Sequence, residues 1–181
     1  DKDVILVDAG LPDQFPQIKD AMEKATIPFE RLSKVIITHH DMDHIGSLNR
    51  ILNTSSQKVD VLAHEAEKPF IEAEVPPVRL SQLEEMLKTI PGARRQRIMS
   101  LYENLKENYV KYKASVSKTV SDGEELACCG GIVVIHTPGH TPGHISLYLK
   151  QKKILIAGDV MNVENRLLVP SPPATVIDKA A

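Results

Sequence analysis

The chain has 181 residues, 42% hydrophobic and 25% charged, the balance of one ordinary soluble domain able to bury a core. It holds no run of about 18 apolar residues and no charged-then-apolar leader, so neither a membrane span nor a signal peptide is expected. The formal charge is −2, and the basic residues are dispersed apart from Arg94, Arg95 and Arg97. That pattern argues against nucleic acid and for a small-molecule partner, with a homodimer left open.

Cys128 and Cys129 are adjacent and could pair with each other only through a strained bridge, so no disulfide framework is expected. A cytoplasmic location follows. Buried or turn cysteines are preferred to zinc-binding thiols, because no partner pair lies elsewhere in the chain.

In chain order, short β-branched runs bounded by turn residues predict strands over 4–7, 35–37, 59–63, 132–135, 145–149 and 154–157. Ile18, Ala21, Met22 and Ala25 repeat at helical spacing after Pro12, Asp13 and Pro16, which suit a helix start. A second helix is expected from Ile45, with Leu48, Ile51 and Leu52 on one side. Residues 76–113 read as two helices separated by Pro91-Gly92 and inserted between strands: Leu80, Leu83 and Leu87, then Ile98, Leu101, Tyr102, Leu105, Tyr109 and Tyr112. They are expected to cover the sheet, and as a lid their aromatic residues would wall a pocket. Arg94, Arg95 and Arg97 read as a solvated face. The alternation of strands and helices predicts an α/β layered architecture in a single domain over 1–181.

The chemistry concentrates in Thr38-His39-His40-Asp41-Met42-Asp43-His44-Ile45-Gly46. Directly after a strand, residues 39 and 41 point the same way, and Asp43 and His44 swing round as the chain turns into a helix. One such loop can serve two metal ions, since imidazole suits zinc or iron and carboxylate suits harder ions. The bland alternative is a polar helix start with aspartate caps and solvated histidines. Two further segments weigh against it. His136-Thr137-Pro138-Gly139-His140-Thr141-Pro142-Gly143-His144 holds His140 rigidly in a tight turn. His144 reads as a group that orients a ligand, and His136 as an ordinary half-buried histidine. Ile154-Leu155-Ile156-Ala157-Gly158-Asp159 then delivers one carboxylate at a strand end, where it can bridge two cations.

These three elements in this order resemble the metallo-β-lactamase superfamily, with its HxHxDH motif, Pro-Gly-His turn and Gly-Asp. Further matches are Val7-Asp8-Ala9-Gly10 and the Asp122-Gly123-Glu124-Glu125-Leu126 turn. The resemblance implies an αββα sandwich with a helical insertion and the site at one edge of two packed sheets. It implies His39 and His140 as ligands of a first metal, Asp43 and His44 of a second, Asp159 as the bridging carboxylate, and Asp8 as a support. Asp41 stands where the family usually has histidine and is included in the metal set. His40 is one place out of register. The family's first strands and final metal-binding histidine have no counterpart, so truncation at both ends is expected and the second metal is a ligand short.

The expected cofactors are two divalent ions. Zinc comes first, but a carboxylate at 41 makes the site less positive and favours iron or manganese. The expected activity is hydrolysis of a small ester, lactone or thioester by a binuclear-site hydroxide, lactonase-like or glyoxalase II-like, with Asp43 orienting the nucleophile. β-Lactam and nucleic-acid substrates are disfavoured. The alternatives are a di-iron redox enzyme of the same fold and a non-catalytic metal-binding or regulatory member.

Overall fold

The structure, a computed structural model, describes residues 3–171. Strands β1 (Val4–Val7), β2 (Leu32–Ile36), β3 (Asp60–His64) and β4 (Lys118–Val120) form a sheet in that order, every neighbouring pair parallel. Parallel pairing requires crossovers, and helices supply them. α1 (Phe15–Lys24) links β1 to β2, while α2 (Met42–Ile45) and α3 (Leu48–Thr54) link β2 to β3. α4 (Lys68–Ile71), α5 (Val78–Thr89), α6 (Gly92–Asn108) and a 3₁₀ turn at Tyr109–Tyr112 lie between β3 and β4. A second, antiparallel sheet runs β5 (Glu125–Leu126), β6 (Ile132–His136), β7 (Ile145–Leu149) and β8 (Ile154–Ile156).

Two apolar layers hold these parts together. On one face of the parallel sheet, Leu32, Val35, Ile37, Val61 and Ala63 pack against Phe15, Leu48 and Ile51 of the helices. On the other face, Ile36, Leu62 and Val120 meet Leu126, Ile132, Val134, Ile145 and Leu147 of the antiparallel sheet. Both faces of the parallel sheet are therefore covered, which is why its strands read as near-continuous apolar runs. The described residues supply one helical layer and both β layers of the αββα sandwich. Among them, no helix is long and apolar enough to cross a membrane.

The expected second helix is α3, which carries Leu48, Ile51 and Leu52 and is preceded by a separate single turn, α2. α2 ends at Ile45 and α3 starts at Leu48; Gly46 is still helical (φ −57°, ψ −39°), and the break falls at Ser47 (φ −94°, ψ 0°), whose hydroxyl donates to Leu11 O at 2.5 Å. The expected helical pair at 76–113 is α5 and α6, packed on their own small core of Leu83, Leu87 and Ile98. β4, β5 and a final hairpin, β9 (Met161–Glu164) with β10 (Leu167–Pro170), escaped the sequence reading. β4 has three residues with one buried, too few for an alternation to show. The hairpin turns on Asn165 and Arg166, both at positive φ (51° and 65°), the geometry of a type I′ turn. Residues 172–181, including Pro172 and Pro173, lie outside the described residues.

Candidate metal centre

Strand ends build the site. β1 ends just before Asp8, β2 runs into Thr38 to His44, the turn between β6 and β7 carries His140 and His144, and β8 ends shortly before Asp159. In α/β sheets the crevice outside the carboxyl ends of the parallel strands is where ligands bind.

Asp8, held at φ 59°, organises the first group. Its carboxylate accepts the Thr38 N–H at 2.8 Å, the Thr38 hydroxyl at 2.8 Å and the His44 Nδ1–H at 2.9 Å. With the Thr38 hydroxyl hydrogen committed to Asp8, His39 Nδ1–H donates to Thr38 Oγ1 at 3.0 Å. His39 Nε2 is then a bare acceptor, fully buried and without a partner. Burial, reinforced by the neighbouring His44, pushes the His39 pKa down to about 2, so the ring stays neutral.

The remaining groups converge on that nitrogen. Asp41 Oδ2 lies 3.9 Å from His39 Nε2 and 3.2 Å from His140 Nε2. His140 Nε2 is 3.6 Å from Asp159 Oδ2, and His44 Nε2 is 3.4 Å from Asp159 Oδ1 and 3.8 Å from Asp43 Oδ2. All six sequence-derived metal candidates, His39, Asp41, Asp43, His44, His140 and Asp159, thus meet at one place. His39, His140 and Asp159 are the tightest group, each offering a ligand atom within 4.8 Å of the others. Asp43 sits at the margin, with 59% of its side chain exposed.

The charges are arranged to keep the carboxylates ionised. Burial of Asp41 would raise its pKa, but the His140 hydrogen bond and the Arg79 guanidinium outweigh it and hold the group well below the usual carboxylate range. The hydrogen bond to His44 holds Asp159 down to about 2. Burial opposes protonation of His44, yet Asp159 and Asp8 raise its pKa to about 10. Without metal, His44 is thereby held as an imidazolium between the two carboxylates; as a metal ligand it would offer Nε2 in place of that proton.

His144 has both ring nitrogens engaged: Nδ1 with Thr137 Oγ1 at 2.8 Å, and Nε2 accepting the Asp159 N–H at 2.9 Å. It fixes Asp159 rather than facing the ligand group, and burial lowers its pKa to about 4. Gly158 is required for this contact. It sits at φ +57°, and a Cβ there would lie 2.5 Å from His144 Nε2. His136 is half-buried, stacked on His64 with ring centroids 4.1 Å apart. Cys128 and Cys129 are free thiols.

Three contributors were not singled out by the sequence reading. Glu67, completely buried, accepts the His40 N–H at 2.8 Å, His40 Nδ1–H at 2.5 Å and the Gly143 N–H at 2.7 Å. It ties the β2 loop to the Pro-Gly-His turn, and His40 faces Glu67 instead of the ligand group. Thr38 relays Asp8 to His39. Arg79, on α5, donates to Asp41 Oδ2 at 3.0 Å and to Gln82 Oε1 at 2.8 Å. The arginines that drew notice by their clustering, Arg94, Arg95 and Arg97, are exposed on α6. A local charge run gives no hint that a lone Arg79 turns inward.

Two packed sheets with imidazoles and carboxylates gathered at their strand ends define a metal-centre α/β protein. The chain belongs to the metallo-beta-lactamase superfamily, whose family model matches residues 1–179. It is 29% identical over 163 residues to the probable metallo-hydrolase YflN of Bacillus subtilis (strain 168), covering 88% of this chain and 56% of that protein. It is 27% identical to the uncharacterized protein YobT of the same organism, covering 93% of this chain and 62% of YobT. The chain thus spans little more than half the length of these relatives. Among solved structures, a metallo-beta-lactamase family protein from Thermus thermophilus superposes with a TM-score of 0.64 at 23% identity, over 89% of this chain and 52% of that one. The metallo-beta-lactamase GOB-18 from Elizabethkingia meningoseptica gives 0.60 at 16% identity, over 93% and 49%. These likenesses agree on the fold.

Proposed function

We propose that this chain carries the catalytic centre of a divalent-metal-dependent hydrolase acting on a small ester, lactone or thioester. The observation that carries the reading is the lone pair of His39 Nε2, buried without a partner beside His140 and Asp159. A buried, unpaired imidazole nitrogen costs free energy unless something binds it, and a cation fits this donor set. The naming of relatives as probable metallo-hydrolases supports the same reading.

His39, His140 and Asp159, with Asp41 alongside, would hold one ion; His44, Asp43 and the shared Asp159 would hold a second. When bound, the ions polarise the substrate carbonyl and lower the pKa of water. The chain's own residues do the rest. Asp43, exposed on the cavity wall, accepts a hydrogen bond from the attacking water and orients it. Asp8 and Thr38 fix the ring orientations of His44 and His39, and Glu67 fixes the spacing of the two loops.

Zinc is the ion proposed, since two imidazoles and a carboxylate suit it. The expectation that Asp41 favours a harder ion weakens, because Arg79 sets a positive charge directly against that carboxylate. Free, adjacent thiols at Cys128 and Cys129 support a reducing cytoplasmic setting.

The test is hydrolysis of a panel of simple thioesters, lactones and aryl esters by zinc-loaded protein, with and without chelator. Metal-dependent turnover that falls at least about 100-fold in Asp43→Asn is expected. Chelator-insensitive turnover, or none on any substrate, would contradict the reading.

A further inference from the structure

Directly outside the metal centre lies a cavity of about 400 Å³, within the range of sites for small organic ligands. His40, Asp41, Asp43, His140 and Asp159 form its polar inner end. The opposite wall is mostly apolar and comes largely from the helical insertion, with Phe70, Leu83, Leu101, Leu105, Tyr109 and Tyr112 on it and Asn104 as an uncharged polar side chain among them. Leu101 remains 54% exposed in the middle of α6, although α5 and α6 have a core of their own in Leu83, Leu87 and Ile98. The cation that the insertion places on this wall, Arg79, is already taken by Asp41 and Gln82. The wall therefore offers burial to hydrocarbon and no free positive charge to an anionic tail.

We propose that this cavity takes an uncharged hydrocarbon chain attached to the scissile ester or thioester, with the carbonyl directed to the polar end. The inference rests on the hydrolase reading and names its substrate class. Selectivity arises because each methylene moved from water onto the apolar wall contributes transfer free energy to the bound state. The insertion is then the specificity element, while the strand-end loops do the chemistry.

The test uses p-nitrophenyl esters from acetyl to decanoyl, and a parallel series of acetate esters with lengthening alcohol chains. Zinc-loaded wild type should gain about fourfold in kcat/KM for each added methylene until the wall is filled. The series that shows the gain identifies the side of the ester that occupies the cavity. In Leu101→Glu, which alters an exposed position, the long-to-short ratio in the series that shows the gain should collapse toward one. Calorimetric titration of butanoate, hexanoate and octanoate reads the same preference without turnover, tightening with length in wild type and losing that trend in the variant. Hydrolysis that ignores chain length in both series overturns the inference and leaves the hydrolase reading standing. Length-dependent fatty-acid binding with no turnover of any ester sinks the hydrolase reading and upholds the pocket. Carboxylate binding that does not respond to length overturns the pocket, whatever the turnover.

Discussion

Glu67 Oε2 accepts both the backbone N–H of His40, at 2.8 Å, and its ring Nδ1–H, at 2.5 Å. The other carboxylate oxygen holds the N–H of Gly143, in the loop that carries His140. One buried side chain thereby sets the distance between the two histidine-bearing loops. Burial works against its charge, but the His40 hydrogen bond and the Gly143 amide keep its pKa below the ordinary value.

Replacing Glu67 by Gln keeps the volume and removes the negative charge these donors face. A cost of roughly 3 kcal/mol is expected, read as a fall in Tm of about 6–12 °C, together with weaker metal binding in a chelator competition. An unchanged Tm and metal affinity would show that the two loops hold their spacing without it.

Gly158→Ala should be worse for the site than for the fold. A Cβ at φ +57° meets His144 Nε2 at 2.5 Å, so the Asp159 amide must leave His144 and its carboxylate must shift. The backbone strain is about 1–2 kcal/mol. Metal affinity should drop by more than the stability loss accounts for, measured by competition with a chromophoric chelator beside thermal unfolding of the metal-free protein.

Arg79→Gln removes a positive charge 3.0 Å from Asp41 Oδ2 while leaving the ligands in place. A bound cation then feels less repulsion, and zinc should bind about tenfold tighter or more at neutral pH. Weaker binding would mean that Arg79 holds Asp41 in position rather than competing for it.

The metal-free protein should be most stable near pH 6.5. His39 and His144 are buried neutral, with pKa values lowered from 6.5 to about 2 and about 4. The unfolded chain takes up their protons below 6.5, so the stability they contribute is lost as pH falls toward 4. His44 behaves in the opposite sense. Its pKa is raised from 6.5 to about 10, and its contribution, full below 6.5, is lost as pH rises toward 10. Tm recorded from pH 4 to 10 after chelation should fall on both sides; a profile flat from 6.5 down to 4 would remove the buried-neutral account of His39 and His144.

Much of the site was legible because its residues follow strands of clear apolar character. The runs ending near Asp8, at Thr38 and before Gly158 announce where side chains emerge, and dense His/Asp spacing announces what they do. Glu67 was not legible: His64-Glu65-Ala66-Glu67 offers two acids, and nothing local tells which one turns inward. Arg79 was hidden for a similar reason, since its role depends on how α5 docks over the β2 loop. The break between α2 and α3 falls at Ser47, whose hydroxyl donates to Leu11 O, a partner far away in sequence. Local pattern reports strand ends well; pairings made by tertiary packing do not appear in it.

The central claim is that His39, His140 and Asp159 together bind a divalent ion, and metal analysis tests it most directly. Wild type, His39→Ala and His140→Ala are each incubated with zinc, freed of loose metal by dialysis and measured by plasma mass spectrometry, with folding checked by circular dichroism. Stoichiometric zinc in wild type, lost or sharply reduced in both folded variants, is the predicted result. Wild type that retains no zinc, or variants that retain as much as wild type, would contradict the account.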